Sequence, residues 1–461
     1  DLPTNIVVQN FMWQSMNEWY FWQASVPNLA DDAFANDEEY TEFLESEPNP
    51  EDFLRNLLFS EDRFTFWNED INALLDDLGG VSSSNGLQFF LVDLLADDTD
   101  NRFLFVRNVV PGSDGQVKGI QRGDVFFEID GQTITSENVA DLLAPQTYTL
   151  GIGELDVENR LVNPTTNTVT VTKEENFQEH PIRLAETLDI NGQKIGYLMF
   201  QRFLREFDND LNDTFGQFVA EGVTDLVLDL RYNRGGSVQT SQRLASLIYG
   251  ANTNDLYIRQ RWNDKVQAQL GSEQLDDFFV DNINGTPINS LNLNRVFVLS
   301  TNETASSSEL VINGLNPYID VILIGTDTTG KNEFSITLVD DPGNDFVFNN
   351  SRIDNINPNN LWALQPLVGR NENSVGFLDY TDGFSPNFEV VEDVFNLGTF
   401  GDQNEPLLAQ AIEIITGVSS KNKLQMEFIS KGQTLEKVSS FVSPNEELMI
   451  LDKPLGKINL K

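Results

Sequence analysis

The sequence predicts a multidomain α+β chain with a helical N-terminal domain, a small β domain and an α/β core. Three observations carry that expectation. Apolar residues near the start recur at three- and four-residue spacing. A middle stretch breaks into short β-like runs punctuated by Gly-Asp and Asp-Gly. A later stretch sets near-continuous apolar runs of four to six residues between helix-length segments. The length of 461 residues exceeds one small domain, and a 40% hydrophobic content that includes 33 Phe is enough for real cores.

Residues 1–80 are expected to be the helical domain. Phe11, Met12, Met16, Trp19 and Tyr20 form an amphipathic stripe, and Phe43, Phe53, Phe64, Phe66 and Trp67 supply further aromatic core. Residues 81–175 are expected to be the β domain. A Ser82–Gly86 loop opens it, and runs at 86–92, 103–110 and 124–129 read as strands. Residues 176–418 read as α/β. Runs 194–200, 225–230, 295–300 and 321–324 have the character of strands buried on both faces, and 203–218 is a helix candidate. The polar, Asn-rich stretch 250–292 reads as an insertion over the sheet. Residues 419–461 differ again: they hold seven Lys and five acidic residues, a net of +2 in a chain of net charge −43, and form an appendage of unassigned role.

Composition excludes several chemistries. With no Cys, there is no cysteine nucleophile, no thiolate metal site and no disulfide. The single histidine, His180, sits in Glu179-His180-Pro181, a linker-like context that suits a Ser-His-Asp triad poorly. A net charge of −43 repels nucleic acid. No apolar run reaches membrane-spanning length. The chain starts at Asp1 rather than Met, which reads as a mature or trimmed form and leaves room for a lipid anchor ahead of it.

Under these exclusions a nucleophilic hydrolase would use a serine with a lysine base. Arg295–Ser300 is a strand, and Ser306-Ser307-Ser308-Glu309 opens a helix. Ser-x-x-Glu is a capping box, so Ser306 reads as a helix cap. The same position also suits a nucleophile, because a helix N-terminus offers free N–H groups to an oxyanion. Arg231-Tyr-Asn-Arg-Gly-Gly236 reads either as an ordinary strand-to-helix loop or as a place where backbone approaches a substrate. Gly325–Lys331 matches the first seven positions of a phosphate-binding P-loop. Asn332 then stands where Ser or Thr is needed, and Phe334–Val339 alternates like a strand rather than a helix.

Thr304-Ala305-Ser306, Gly330-Lys331 and the Leu230–Gly236 turn, in this order and spacing, resemble the C-terminal processing (tail-specific) serine peptidases over residues 80–415. The resemblance implies a crotonase-like, ClpP-related peptidase core carrying a PDZ-like domain. It implies Ser306 as nucleophile and Lys331, 25 residues on, as general base. The N–H of Ser307, with that of Gly235 or Gly236, would form the oxyanion hole. Val110–Asp124 resembles the bacterial PDZ pattern, and Gly86-Leu87-Gln88-Phe89 its carboxylate-binding loop, which takes a peptide as an added strand. Many members carry Gln or Glu four residues after the lysine. Here that position is Ser335, with Glu333 nearby as a second candidate for a third member. No metal or organic cofactor is implied. The expected partners are protein or peptide substrates, and the expected setting is an exported bacterial one: periplasmic, cell-surface or secreted. The alternative is a non-catalytic peptide- or lipid-binding relative on the same scaffold.

Overall fold

The structure, a computed structural model, describes residues 6–94, 101–417 and 448–453. At its centre is a six-stranded sheet in the order Ile182–Ile190, Gln193–Phe200, Asp225–Asp229, Arg295–Ser300, Asp320–Gly325, Phe388–Glu389. The first pair is antiparallel and the other four pairings are parallel. The apolar runs explain why this sheet is covered on both faces. Successive side chains on a strand point to opposite sides. Val296 and Val298 therefore enter one core, with Leu226 and Leu228, while Phe297 and Leu299 enter a second core, with Val227 and Tyr197.

The first of these cores also contains the N-terminal segment. Phe11, Met12, Met16, Trp19, Tyr20, Phe53 and Leu54 lie in one hydrophobic cluster with the α/β strands. The helices Val7–Trp19, Asp37–Glu45, Pro50–Leu57 and Ile71–Leu78 agree with the helical expectation. Asn36, Asn49 and Asp70 cap the last three through side-chain oxygens. This region also supplies a strand, Phe66–Asn68, paired antiparallel with Ala363–Gln365.

Residues 81–178 are rich in strands. Leu87–Val92, Phe103–Val109, Val125–Ile129, Thr147–Asp156 and Leu161–Thr172 form an antiparallel sheet with Leu87–Val92 at its edge, and two short helices, Asp114–Val117 and Val139–Leu143, accompany it. This unit has its own core around Leu104, Phe126, Ile129 and Leu150.

Two local expectations need correction. The helix expected from Phe203 begins only at Asp208 and runs to Glu221, ending at left-handed Gly222. Phe203 is instead bridged to Gly236. The 250–292 stretch is not merely draped over the sheet. Its Leu256–Trp262 strand is integral to a second six-stranded sheet, with Tyr257, Ile258 and Trp262 buried. The polar composition around it hid a strand that alternates inward and outward residues. That second sheet has the order Gly235–Ser237, Leu448–Ile450, Glu333–Ser335, Leu367–Asn373, Leu256–Trp262, Asp276–Phe278. Among the described residues no helix is long and apolar enough to cross a membrane.

Candidate active site

Three loops converge on Ser306. The serine lies between the Arg295–Ser300 strand and the fully buried helix Ser307–Leu315. Its backbone has φ 62° and ψ −115°, a conformation that costs a non-glycine residue of the order of 1–3 kcal/mol. The strain is held by bonds from every side. Ala305 N–H donates to the Asn233 carbonyl (3.1 Å), Thr304 Oγ1 to the Leu230 carbonyl (2.9 Å), Ser307 Oγ to the Gly236 carbonyl (2.8 Å) and Ser308 Oγ to the Asn233 carbonyl (2.9 Å). The glycine turn and the serine turn are thereby stitched into one unit.

The Ser306 side chain is buried, and among the described residues its Oγ has no hydrogen-bond partner. Only the carboxylate half of the capping box forms: Ser306 N–H donates to Glu309 Oε2 at 2.9 Å. Ser307 is the first residue of the helix, so its N–H has no acceptor within the helix. A Cβ placed on Gly235, where φ is +108°, would lie 2.7 Å from Ser306 Cβ and 3.0 Å from its Oγ, and would overlap the Leu448 carbonyl oxygen. The glycine is required by both backbone conformation and contact. Gly235 N–H is already engaged by Asn233 Oδ1 at 2.9 Å. Gly236 lies in the short strand opposite Met449.

Glu309 is the residue whose importance the sequence did not reveal. Beyond Ser306, its carboxylate accepts from Gly330 N–H (2.7 Å), Lys331 N–H (2.8 Å) and Thr328 Oγ1 (2.5 Å). One carboxylate therefore joins the Ser306 turn to the Lys331 loop. Burial pushes its pKa up to about 7, against the opposing pull of these four donors. The same contacts dispose of the phosphate-loop reading: the Gly330 and Lys331 amides that would cradle a phosphate are held by a carboxylate, and the residues that follow form the Glu333–Ser335 strand.

Lys331 is buried, with its Nζ 4.8 Å from the centre of the Phe64 ring. Arg63 donates to the Gly330 carbonyl at 2.5 Å. The N-terminal segment therefore forms one wall of the lysine loop. The sequence offered Phe64 only as core aromatic, and nothing local marked Arg63. Each of the two candidates for a third member has a partner of its own. Glu333 is ion-paired with Arg370 at 2.8 Å, and the Ser335 hydroxyl stands 3.5 Å from the Met449 carbonyl.

Beneath the glycine turn sits a second buried cluster. Arg231 pairs with Asp229 (2.8 Å), Glu405 (2.7 Å) and Glu392 (3.2 Å). Burial alone would lower its pKa, but the three carboxylates outweigh it and hold the guanidinium well above its ordinary value. Arg122, from the strand-rich unit, reaches into the same cluster, pairing with Glu392 at 2.7 Å and donating to Tyr232 Oη at 3.0 Å. His180, half-exposed and 3.2 Å from Asp210, lines a pocket together with Tyr232 and Arg234.

In the Gly86–Phe89 segment, Gly86 has φ +76°. Leu87 N–H donates to Asn85 Oδ1 at 3.2 Å, Gln88 Oε1 accepts from Asn108 at 3.2 Å, and Phe89 packs edge-on against Phe126.

Residues 194–345 match peptidase family S41, and residues 7–66 match the peptidase S41 N-terminal domain. The chain is 24% identical over 240 residues to carboxyl-terminal-processing peptidase 1, chloroplastic, of Arabidopsis thaliana, covering 51% of this chain and 45% of that one. It is 26% identical over 226 residues to a carboxyl-terminal-processing protease of Picosynechococcus, covering 48% and 49%. The match thus spans about half the length of these curated relatives. The crystal structure of an S41-family protein from Bacteroides fragilis superposes with a TM-score of 0.70 at 29% identity, covering 89% of this chain and 97% of that one. With both S41 segments present in order, residues 7–66 and 194–345 match peptidase family S41, and the chain is similar to carboxyl-terminal-processing peptidases.

Proposed function

We propose that the chain is a serine endopeptidase in which Ser306 is the nucleophile and Lys331 the general base. The observation that carries this reading is the strained Ser306 backbone, held at the N-terminus of a buried helix with its hydroxyl unengaged. In this mechanism the neutral Lys331 amine takes the proton as Ser306 Oγ attacks the scissile carbonyl. The proton passes to the departing amine, leaving an acyl-enzyme that water hydrolyses. Ser307 N–H, with that of Gly235 or Gly236, would receive the developing oxyanion; Gly235 N–H would first have to leave Asn233, and Gly236 its pairing with Leu448–Ile450. Ser335 and Glu333 are the remaining candidates for a residue that orients the lysine.

The substrates are proteins or peptides, cleaved near their C-termini, and the setting is an exported one. The strand-rich unit, with Leu87–Val92 at its edge, would act as the PDZ-like reader. Gly86, Leu87, Gln88 and Phe89 line the start of that edge, and an extended peptide would add to it as a further strand. Incubation with a denatured protein tests the reading. The parent should release peptides, and Ser306→Ala and Lys331→Met should each lower the rate by about a thousandfold or more, as removal of a catalytic nucleophile or base does. Retained activity in Ser306→Ala would refute it.

One feature favours a binding protein on the same scaffold. The position four residues beyond the lysine holds Ser335, whose hydroxyl faces the Met449 carbonyl. Peptide binding without turnover in the parent would select that reading.

A further inference from the structure

Between the glycine turn and the strand that follows Lys331 there is a slot one strand wide. The chain's own C-terminal segment fills it. Leu448–Ile450 pairs in parallel with Gly235–Ser237 on one side, in the register Gly235 to Leu448, Gly236 to Met449 and Ser237 to Ile450. On the other side it pairs in parallel with Glu333–Ser335, through Ser335 and Ile450, and Leu451 N–H donates to the Ser335 carbonyl at 2.9 Å. These flanking strands hold the candidate oxyanion glycines and directly follow the candidate base. Leu448 main chain runs against the Ser306 face, since its carbonyl oxygen and Ser306 Oγ border the same small space beside Gly235.

We propose that this slot is the substrate cleft for one extended peptide with apolar side chains, and that Leu448–Ile450 occupies it as an autoinhibitory, substrate-mimicking strand. The proposal rests on the peptidase reading for its functional meaning. Four observations carry it. First, the site receives alternate side chains in separate pockets, as strand addition requires. Leu448 is buried among Phe66, Ile71, Leu74, Val339, Ile356 and Ala363, whereas Met449 enters the larger core.

Second, the fit around Met449 is imperfect. The buried Asn371 amide donates to Met449 Sδ at 3.2 Å, a weak acceptor, and its Oδ1 has no partner among the described residues. A strand built permanently into the core would be expected to satisfy that amide. A displaceable occupant need not.

Third, charge favours docking without fixing it. Residues 419–461 carry +2, so the rest of the chain carries −43 − 2 = −45. Lys453 pairs with Asp277 at 2.9 Å at the exit from the slot.

Fourth, the glycine strand depends on the occupant. Apart from Leu448–Ile450, its β-pairing among the described residues is a single bridge from Gly236 to Phe203. An empty slot would leave a sheet edge ready for another peptide.

The test uses the full-length chain carrying Leu448→Asp with Met449→Lys, and separately Lys453→Glu, a milder change at an ion pair outside the slot. A labelled synthetic peptide of residues 446–453 is titrated by fluorescence anisotropy, alongside hydrolysis of denatured casein. The double variant should bind the peptide at least tenfold more tightly than the parent and hydrolyse casein at least tenfold faster. Lys453→Glu should shift both in the same direction by about twofold. The double variant combined with Ser306→Ala should keep the peptide binding and lose the turnover. Equal peptide affinity in parent and variants, including no binding to any, would overturn the proposal. Peptide binding with unchanged, measurable hydrolysis would overturn the inhibitory role. If the double variant does not melt cooperatively, Lys453→Glu decides: binding or hydrolysis no higher than the parent's would overturn the proposal. Tighter binding by the variants with no hydrolysis in any form would support the cleft assignment and sink the peptidase reading instead.

Discussion

Two buried carboxylate systems brace the same site by different physics. Around Arg231, a guanidinium is enclosed by Asp229, Glu405 and Glu392, so opposite charges compensate one another. Around Glu309 no ion pair forms among the described residues. A lone carboxylate accepts four hydrogen bonds, three from backbone N–H groups and one from Thr328. The first system holds the glycine turn, and its carboxylates hold the Arg231 guanidinium well above its ordinary pKa. The second holds the serine and lysine turns and sits near the point of protonation, with a pKa of about 7. The contrast teaches that neighbouring opposite charges outweigh the burial of Arg231, whereas hydrogen bonds alone do not outweigh the burial of Glu309.

Removing the cation should break the compensated system most severely. Arg231→Met leaves Asp229 and Glu405 buried and unpaired, and is expected to cost about 3–5 kcal/mol, as loss of one partner of a buried ion pair does. Urea unfolding of the variant measures it, and a loss below about 1 kcal/mol would mean the carboxylates find other partners.

Glu309→Gln tests the uncompensated system. A glutamine has one acceptor oxygen to serve four donors, so at least one buried N–H is left unmet, at about 1–3 kcal/mol. Because that loss falls on both turns, peptidase turnover should drop at least tenfold with KM little changed. A variant with parental turnover would show that the knot is not needed to position the two loops.

A pH series sharpens the comparison further. Glu309 has an ordinary carboxyl pKa of 4.5 when unfolded and about 7 when folded, so between these values the folded state binds more protons than the unfolded state. Stability must then fall as pH rises from about 4.5 to about 7, and level off above. Glu18, also raised to about 7 by burial and by Asp345, acts in the same direction. Melting temperature should therefore be lower at pH 8 than at pH 5, and the difference should shrink in Glu309→Gln. An unchanged difference would assign the slope to other groups.

The smallest effect is expected at His180, which is half-exposed, ion-paired with Asp210 and packed edge-on against Phe207. His180→Ala should shift stability by less than about 1 kcal/mol and leave turnover unaltered. A large loss of activity would reopen a histidine mechanism.

Much of the α/β body was legible from composition along the chain. The runs at 225–230, 295–300 and 321–324 could hardly be anything but strands covered on both faces, and the structure divides their alternate residues between two cores. The Ser-x-x-Glu pattern at 306–309 marked a helix start, and the glycine pair at 235–236 marked a constrained turn. In both cases the signal is local: a few adjacent residues set the backbone conformation. What the tertiary structure alone decided is who meets whom. Glu309 was legible as a helix cap, but not as the tie to Lys331, because that tie depends on loop placement across 22 residues. Arg63 and Phe64 reach the lysine loop from 267 residues away, through a shared core rather than any pattern. Leu448–Ile450 is three residues long, too short to show a period, and becomes a strand only because two others stand one strand-width apart. Local sequence fixes conformation through sterics and nearby hydrogen bonds, whereas long-range partners are selected by the packing of the whole chain, which no window of residues contains.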